Sequence, residues 1–143
     1  MITKVEQSWI DVTFLTFVMW REVRGESREC KIGVGYSIMN RVERPSWWGK
    51  NLMGVIKARL QYSSMTYPKD PQLTTWPAQE DVSWQECFRA ASDVMGKQVD
   101  NPAPHADSYF DISIPNPVWA TDDKFVAQIG RIKFYNVDMD VKI

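Results

Sequence analysis

The chain has few residues of the kinds that build metal centres and covalent cross-links. Its 143 residues include two cysteines, Cys30 and Cys87, and a single histidine, His105. Two cysteines cannot form a disulfide-rich scaffold or a cysteine-type zinc site, and one histidine excludes the common histidine-based metal sites. Both cysteines fall on apolar helix stripes and are expected in the core. We therefore expect a protein with no metal ion and no cofactor.

The sequence also has no large excess of positive or negative charge and no long apolar run. Seventeen Lys and Arg oppose eighteen Asp and Glu, so the formal net charge of −1 indicates no nucleic-acid partner. The most apolar stretch, residues 9–20, is interrupted by Asp11 and by two threonines. It is shorter than the roughly 17–25 residues of a spanning helix. Residues 1–8 lack the pattern of a signal peptide. We expect a protein made in a cytoplasm, without stable membrane insertion or an export signal of its own.

The composition is that of a folded domain. Hydrophobic residues make up 44% and charged residues 24%, as in ordinary globular proteins. A length of 143 residues predicts one domain, at roughly 150 residues per domain. No repeat or change of composition divides the chain, so residues 1–143 are expected to form a single domain that acts as a monomer. The seven tryptophans are the compositional exception.

Apolar residues at 3–4 spacing, together with helix boundary residues, predict three long helices and a short one. The first is capped by Ser8 or Asp11, is buried nearly all round, and ends before Gly25. The second follows a cap at Ser27, and its Gly33 and Gly35 leave room for the close approach of another helix. The second helix is predicted over residues 28–44, the short helix over 51–60 and the third long helix over 79–95.

Two long segments rich in proline and polar residues are expected to be loops, residues 61–77 and 100–117. Residues 125–129 and 131–137 surround Gly130 and predict a terminal hairpin. The predicted fold class is α+β, mainly α, with a small β-hairpin. Because the long loops carry many aromatic residues, they suggest a cleft.

The first candidate for chemistry is the segment Glu22-Val-Arg-Gly-Glu26. Glu22 is placed in the last turn of an apolar helix. Burial and the negative end of the helix dipole there both favour the protonated carboxyl that a general acid needs. The alternative is an exposed Glu22 paired with Arg21 or Arg24. Glu26 follows the helix end and, taken alone, is best explained as a first-turn carboxylate that complements the dipole of the second helix.

The second candidate is a set of aromatic residues in the expected loops. Rings with a polar tip suit sugars, which present C–H groups on one face and hydroxyls at the rim. The alternative is that Trp47 and Trp48 seal the core under a loop. The loop aromatics are Trp47, Trp48, Trp76, Trp119, Tyr62, Tyr67 and Tyr109.

Several short motifs occur together in the order found in a known family. They are Glu22-Val-Arg-Gly-Glu26, Gly33-Val-Gly35, Asn40-Arg-Val42, Gly54-Val-Ile56, Gln61-Tyr-Ser63, Ala106-Asp-Ser-Tyr109, Pro117-Val-Trp-Ala120 and Ile129-Gly130 followed by Phe134-Tyr135. In this order they resemble the catalytic domain of the SleB-like, spore-cortex-lytic cell-wall hydrolases, over nearly the whole chain. Val23 stands where the family prefers Ala, and His105 where it has Gly. The segment from Pro68 to Pro77 is more similar to the bacteriophage members.

The resemblance implies a lysozyme-like fold that cleaves the β-1,4 bond between N-acetylmuramic acid and N-acetylglucosamine in bacterial peptidoglycan. The glutamate that opens the family motif is the catalytic acid and corresponds to Glu22, the same residue that its position at a helix end indicates. Glu26 is a candidate second catalytic group. Otherwise the 6-hydroxyl of the substrate closes an anhydro ring, as in lytic transglycosylases. The expected substrate-binding residues are Gln61, Tyr62, Ser63, Tyr109 and Trp119.

The bacteriophage-like features imply an endolysin. Such an enzyme acts on the wall after a separate holin-like pore has permeabilised the membrane, or is carried in a virion. The rival hypothesis is a non-catalytic glycan-binding or virion structural module with a lysozyme-like fold. A module of that kind needs aromatic residues but no desolvated glutamate at a helix end, so Glu22 favours the enzyme.

Overall fold

The computed structural model describes residues 1–58 and 62–138, in which three long helices pack with a small antiparallel sheet. The helices are α1 (Lys4–Val23), α2 (Arg28–Glu43), α3 (Leu52–Lys57), α4 (Ser63–Thr66) and α5 (Val82–Met95). The strands are β1 (Ser108–Asp111), β2 (Phe125–Ile129) and β3 (Ile132–Tyr135). Within these residues, no helix is both long and apolar enough to cross a bilayer. The predicted class, α+β and mainly α, is confirmed.

Helix α1 begins earlier than predicted. Its N-cap is Thr3, whose side chain accepts a hydrogen bond from Glu6 N at 3.1 Å, while Thr3 N donates to Glu6 Oε2 at 3.2 Å. This reciprocal capping box satisfies the first free donors of the helix, so the expected caps at Ser8 and Asp11 are wrong. The prediction of burial nearly all round is also wrong. The first turns are exposed, and Trp9 on this part of the helix is 62% exposed.

Helix α2 follows the predicted cap and lies in the core. Ser27 Oγ accepts a hydrogen bond from Cys30 N at 3.2 Å, which satisfies one free donor of the first turn. Cys30 and Cys87 are both fully buried, as predicted. Burial raises the pKa of the Cys30 thiol to about 12 and that of Cys87 to about 11. Neither is therefore a reactive thiolate at neutral pH.

The two glycines of α2 contact different kinds of element. A Cβ added at Gly35 would lie 3.1 Å from Val94 of α5, so this glycine allows the close helix approach that was predicted. A Cβ added at Gly33 would lie 2.9 Å from the ring of Phe134, which belongs to β3 rather than to a helix. Gly33 thus brings α2 against the sheet.

The three strands form an antiparallel sheet in the order β1-β3-β2. Strands β2 and β3 form the predicted hairpin around Gly130, whose φ is +58°. Strand β1 lies within residues 100–117, where only a loop was expected, because its partner β3 is distant in sequence and no local pattern reveals the pairing. Tyr109 is opposite Phe134 and shares its face of the sheet, whereas Phe110 lies on the other face.

The segment between α3 and α5 is more ordered than predicted. It contains α4 and a 3₁₀ turn, Pro71–Thr74, which Asp70 caps: its Oδ1 accepts a hydrogen bond from Gln72 N at 2.8 Å. Helix α5 begins at Val82, a few residues later than expected, because the side chain of Asp81 caps it.

Candidate active site

Glu22 lies in the last turn of α1, and each of its carboxyl oxygens accepts a hydrogen bond. Tyr109 Oη donates to Oε1 at 2.5 Å, and Ser64 Oγ donates to Oε2 at 2.7 Å. Ser64 is 2% exposed, whereas Glu22 keeps part of its surface open to solvent. Two hydroxyl groups therefore fix the direction of the carboxyl of this partly exposed residue.

The surroundings of Glu22 favour its protonated form. Burial is the largest cause and raises the pKa of Glu22 from its ordinary value of 4.5 to about 7. The hydrogen bonds from Tyr109 and Ser64 lower this pKa because they stabilise the carboxylate, and the charge of Asp70 raises it. A carboxyl with a pKa near neutral can both carry and release a proton at physiological pH, as a general acid requires. The desolvation predicted at this helix end is thus present.

Arg21 and Arg24, on either side of Glu22 in the sequence, bind the segment around α4 to the end of α1. Arg21 Nη1 donates to the carbonyl oxygen of Ser64 at 3.2 Å. Arg24 Nη1 donates to Gln72 Oε1 at 2.8 Å. Ser64 is therefore held from both sides by consecutive residues of α1, through its carbonyl and through its hydroxyl. The arginines contact the loop, in contrast to the alternative in which they pair with Glu22.

Asn40 and Arg41, near the end of α2, hold the chain that leads into β1. Asn40 Nδ2 donates to the carbonyl oxygen of Ala106 at 2.9 Å, and Arg41 Nε donates to that of Asp107 at 2.6 Å. Arg41 is fully buried. Through these bonds the Asn-Arg-Val motif sets the position of β1, and with it the position of Tyr109.

Three of the five predicted substrate-binding residues lie close to Glu22. Tyr109 contacts it directly, and the ring centroid of Tyr62 lies 6.3 Å from that of Tyr109. Tyr62 is only 2% exposed and packs as a buried neighbour of the Tyr109 ring. Ser63 lines a groove beside the cluster. Gln61 lies outside the described residues.

A groove with a volume of about 490 Å³ is lined by Ser63, Tyr67, Asp70 and Pro71. It is next to Glu22 through the chain, because Ser63 precedes the Ser64 that contacts the Glu22 carboxyl. Ser63 Oγ donates to Asp70 Oδ2 at 2.6 Å. No sequence motif marks Asp70 as functional. The only local signal is an aspartate before a proline, which is typical of a turn, and its proximity to Glu22 arises from the fold.

Glu26, the other carboxylate of the motif, contacts the sheet. Its Oε1 accepts a hydrogen bond from Arg131 N at 2.9 Å, in the turn between β2 and β3. A Cβ added at Gly130 would lie 2.8 Å from the same oxygen, so the turn packs closely on the carboxylate. The structure thus gives Glu26 a role in fixing the hairpin and does not bring it into the hydrogen-bonded cluster of Glu22.

Trp119, the remaining predicted sugar contact, packs in a separate aromatic cluster. Its ring centroid lies 5.9 Å from that of Phe110 and 5.6 Å from that of Tyr135. Phe110 is on the face of the sheet opposite Tyr109, so Trp119 is not brought to Glu22.

The two tryptophans between α2 and α3, Trp47 and Trp48, differ in burial. Trp48 is 3% exposed, and its Nε1 donates to the carbonyl oxygen of Arg41 at 2.7 Å, which confirms for this residue that it seals the core. Trp47 is 55% exposed. Near the site, Trp76 is 66% exposed and stacks on Arg21, with 4.6 Å between the guanidinium carbon and the ring centroid.

A second groove, of about 550 Å³, lies between the first half of α1 and the end of α5. Its lining residues are Val5, Ser8, Trp9, Val12, Phe88, Ser92, Met95 and Gly96. None of these side chains can transfer a proton near neutral pH, whereas the Glu22 carboxyl has a pKa of about 7. Among the described residues, no group of three His, Cys, Asp or Glu is placed to hold a metal ion.

The chain is similar to a known family and to a solved structure. A family model described as Cell Wall Hydrolase matches residues 25–135. The catalytic domain of the germination-specific lytic transglycosylase SleB from Bacillus anthracis is 21% identical, with 87% of this chain and 93% of that chain covered and a TM-score of 0.68. No curated protein matches significantly. The structural likeness confirms the predicted lysozyme-like fold. Because the family model covers well over half of the chain, the chain belongs to the cell wall hydrolase family.

Proposed function

We propose that the protein cleaves the glycan strands of bacterial peptidoglycan at the bond between N-acetylmuramic acid and N-acetylglucosamine, with Glu22 as the acid. The observation that carries the proposal is a partly exposed carboxyl with a pKa of about 7, oriented by Tyr109 and Ser64. Membership of the cell wall hydrolase family supports the wall as substrate.

In the first step the Glu22 proton moves to the glycosidic oxygen. The bond from C1 to that oxygen breaks, its electron pair stays on the leaving oxygen, and positive charge develops at C1 and the ring oxygen. Glu22 becomes a carboxylate at this moment. The hydrogen bonds from Tyr109 and Ser64 then stabilise the carboxylate, so they favour the transfer of the proton from Glu22 to the glycosidic oxygen.

In the second step C1 needs a nucleophile, and we propose the 6-hydroxyl of the same muramic acid. The Glu22 carboxylate removes the hydroxyl proton, the 1,6-anhydro ring closes, and the enzyme returns to its protonated form. An intramolecular hydroxyl reacts at a high effective concentration, so it can replace water. Two observations support this route: Glu26 is engaged by Arg131 N in the hairpin turn, and the structurally similar SleB domain is a lytic transglycosylase.

The test of the acid is Glu22→Gln, assayed by the loss of turbidity of purified cell walls. Glutamine keeps the size of the side chain but carries no transferable proton, so the rate should fall roughly 10²- to 10⁴-fold. Glu26→Gln is the matched control and should keep most of the activity. Wild-type clearing by Glu22→Gln would overturn the proposal. Wall binding by wild type without any release of fragments would instead favour the non-catalytic module.

The test of the acceptor is mass spectrometry of the released muropeptides. Closure of the anhydro ring yields ends one water lighter than a hydrolysis product and resistant to borohydride. Ends that borohydride reduces fully would show that water attacks C1 and that the enzyme is a muramidase.

For the biological setting we propose a bacteriophage endolysin, monomeric and dependent on a separate holin-like pore. The support is the similarity of residues 68–77 to the bacteriophage members of the family. Expression in a bacterial cytoplasm should lyse cells only when a pore-forming protein is expressed with it. Equally fast lysis without the pore would contradict this setting.

A further inference from the structure

Asp70 faces the groove beside Glu22 and belongs to no motif of the sequence. We propose that Asp70 is the second carboxylate of the active site, a negative charge held beside Glu22 by Ser63 and turned toward the groove in which the glycan strand lies. This inference rests on the proposed function, since it assigns a further residue to the same reaction.

Two consecutive serines bring the two carboxyl groups together. Ser63 Oγ donates to Asp70 Oδ2 at 2.6 Å, and Ser64 Oγ donates to Glu22 Oε2 at 2.7 Å. Because the two donors are neighbours in the chain, their acceptors lie in one small region. The electrostatic effect of Asp70 on Glu22 is in line with this placement.

Asp70 is connected to the end of α1 through Gln72. Its second oxygen, Oδ1, accepts a hydrogen bond from Gln72 N at 2.8 Å, and the Gln72 side chain in turn accepts one from Arg24 at 2.8 Å. The charge of Asp70 also acts on Arg21, the residue before Glu22. Asp70 is thus tied to the helix that carries the acid.

A negative charge at this place favours the reaction in two ways. It holds the proton on Glu22 until the substrate is bound, because a like charge disfavours the carboxylate. It also stabilises the positive charge that develops at C1 when the glycosidic bond breaks, in a site partly shielded from water. Asp70 forms no covalent bond, so the proton and electron balance of the two proposed steps is unchanged.

The other titratable or charged groups around the two carboxyls do not supply this charge. Burial raises the pKa of both Tyr62 and Tyr109 above the ordinary range, so both phenols are neutral at pH 7. The groups that act on Glu22 or on the two tyrosines beside it are Arg21 on α1, Cys30 and Arg41 on α2, Tyr62 before α4, Asp70 before the 3₁₀ turn, Asp107 before β1 and Tyr109 on β1. Asp107 is the other negative charge of this set, and it lies 3.9 Å from the buried guanidinium of Arg41.

A purely structural role for Asp70 is the alternative, since it caps the 3₁₀ turn through Gln72 N. The variant Asp70→Asn separates the two roles, because asparagine is also a good capping residue but carries no charge. Asp81→Asn is the matched control. Asp81 likewise accepts hydrogen bonds from a serine, Ser83, at 2.5 Å and from a backbone N–H, that of Trp84, at 3.2 Å, but it caps α5.

The experiment is the pH profile of kcat/KM for wall cleavage, with thermal unfolding of each variant as a check on folding. In wild type the alkaline limb reports the loss of the Glu22 proton. Asp70→Asn should move this limb to lower pH by roughly 0.5–1 unit and lower kcat about tenfold, because one like charge is removed. Asp81→Asn should leave both quantities unchanged. An unmoved limb and an unchanged kcat in folded Asp70→Asn would overturn the inference.

A second measurement needs no variant and covers the case in which Asp70→Asn does not fold. The carboxyl carbon of Glu22 in the isotope-labelled wild-type chain should titrate with a midpoint that moves to lower pH when salt is added, because salt screens the like charge of Asp70 that raises the pKa of Glu22. A midpoint that stays constant or rises with added salt would overturn the inference. Failure of the proposed function is distinct: it would appear as unimpaired cleavage by Glu22→Gln, whatever the result for Asp70.

Discussion

Tyr109 Oη donates a hydrogen bond to Glu22 Oε1 at 2.5 Å, although 87 positions separate the two residues in the chain. The contact joins the first strand of the sheet to the last turn of the first helix. Behind it, Arg41 and Asn40 of α2 hold the residues that lead into β1. The direction of the Glu22 carboxyl therefore depends on packing between elements that are far apart in sequence.

Glu22→Gln should stabilise the protein more at pH 8 than at pH 5. The pKa of Glu22 is about 7 in the folded protein and 4.5 ordinarily, so folding favours the protonated form. The native state accordingly loses stability as pH rises from about 4.5 to about 7. The Glu22→Gln variant does not lose this stability, because glutamine cannot ionise. The gain in free energy of unfolding should be greater at pH 8 by roughly 2 kcal/mol. Urea unfolding at both pH values measures it, and an equal gain at both would contradict the raised pKa.

Tyr109→Phe should slow cleavage and move the alkaline limb of the pH profile to higher pH. The phenol hydrogen bond lowers the pKa of Glu22, so its removal leaves the acid with a higher pKa and a less stable carboxylate. A hydrogen bond to a charged group contributes about 1.5–3 kcal/mol, so kcat should fall roughly tenfold or more. Tyr36→Phe is the control, because the Tyr36 phenol donates to the carbonyl oxygen of Val99 instead. A limb that moves to lower pH would show that the Tyr109 phenol does not stabilise the Glu22 carboxylate.

Arg41→Met should destabilise the protein by about 3–5 kcal/mol, as is typical when one partner of a buried ion pair is removed. Arg41 is fully buried, and its Nη2 lies 3.9 Å from Oδ1 of Asp107, whose side chain is fully buried as well. Arg28→Met is the control: its ion pair with Asp93 is solvent-exposed, so the cost should be under about 1 kcal/mol. Urea unfolding measures both losses, and equal losses would mean that the buried network adds little.

Trp119→Ala should lower the melting temperature while leaving cleavage per folded molecule unchanged. Trp119 packs with Phe110 and Tyr135 away from Glu22, so truncation removes ring contacts and costs about 1–3 kcal/mol. Trp9→Ala, at a position 62% exposed, should unfold near the wild-type temperature. An increased KM for cell walls with an unchanged melting temperature would restore Trp119 to the sugar-binding surface.

Helix boundaries could be predicted where the capping side chain lies next to the helix it caps. The cap at Ser27 was predicted from its own sequence neighbours. The start of α1 also has a local signal, Thr3 with Glu6 three residues later. The apolar run that begins at Trp9 nevertheless predicts a later start, at Ser8 or Asp11. Strand β1 could not be predicted in this way, because its hydrogen bonds depend on a strand more than twenty residues further along the chain.

The sequence by itself determined the class of the fold and the identity of the acid candidate. These conclusions depend on apolar periodicity, on Gly25 after the helix and on the order of the motifs. All three are visible in the sequence, so they can be recognised without coordinates. Only the tertiary structure decided which groups surround Glu22. It selected Tyr109, Ser64 and Asp70 as neighbours, and it placed Glu26 at the hairpin turn. The reason is that burial and charge–charge interactions depend on distances in space. Those distances are fixed only when segments that are remote in the sequence pack together.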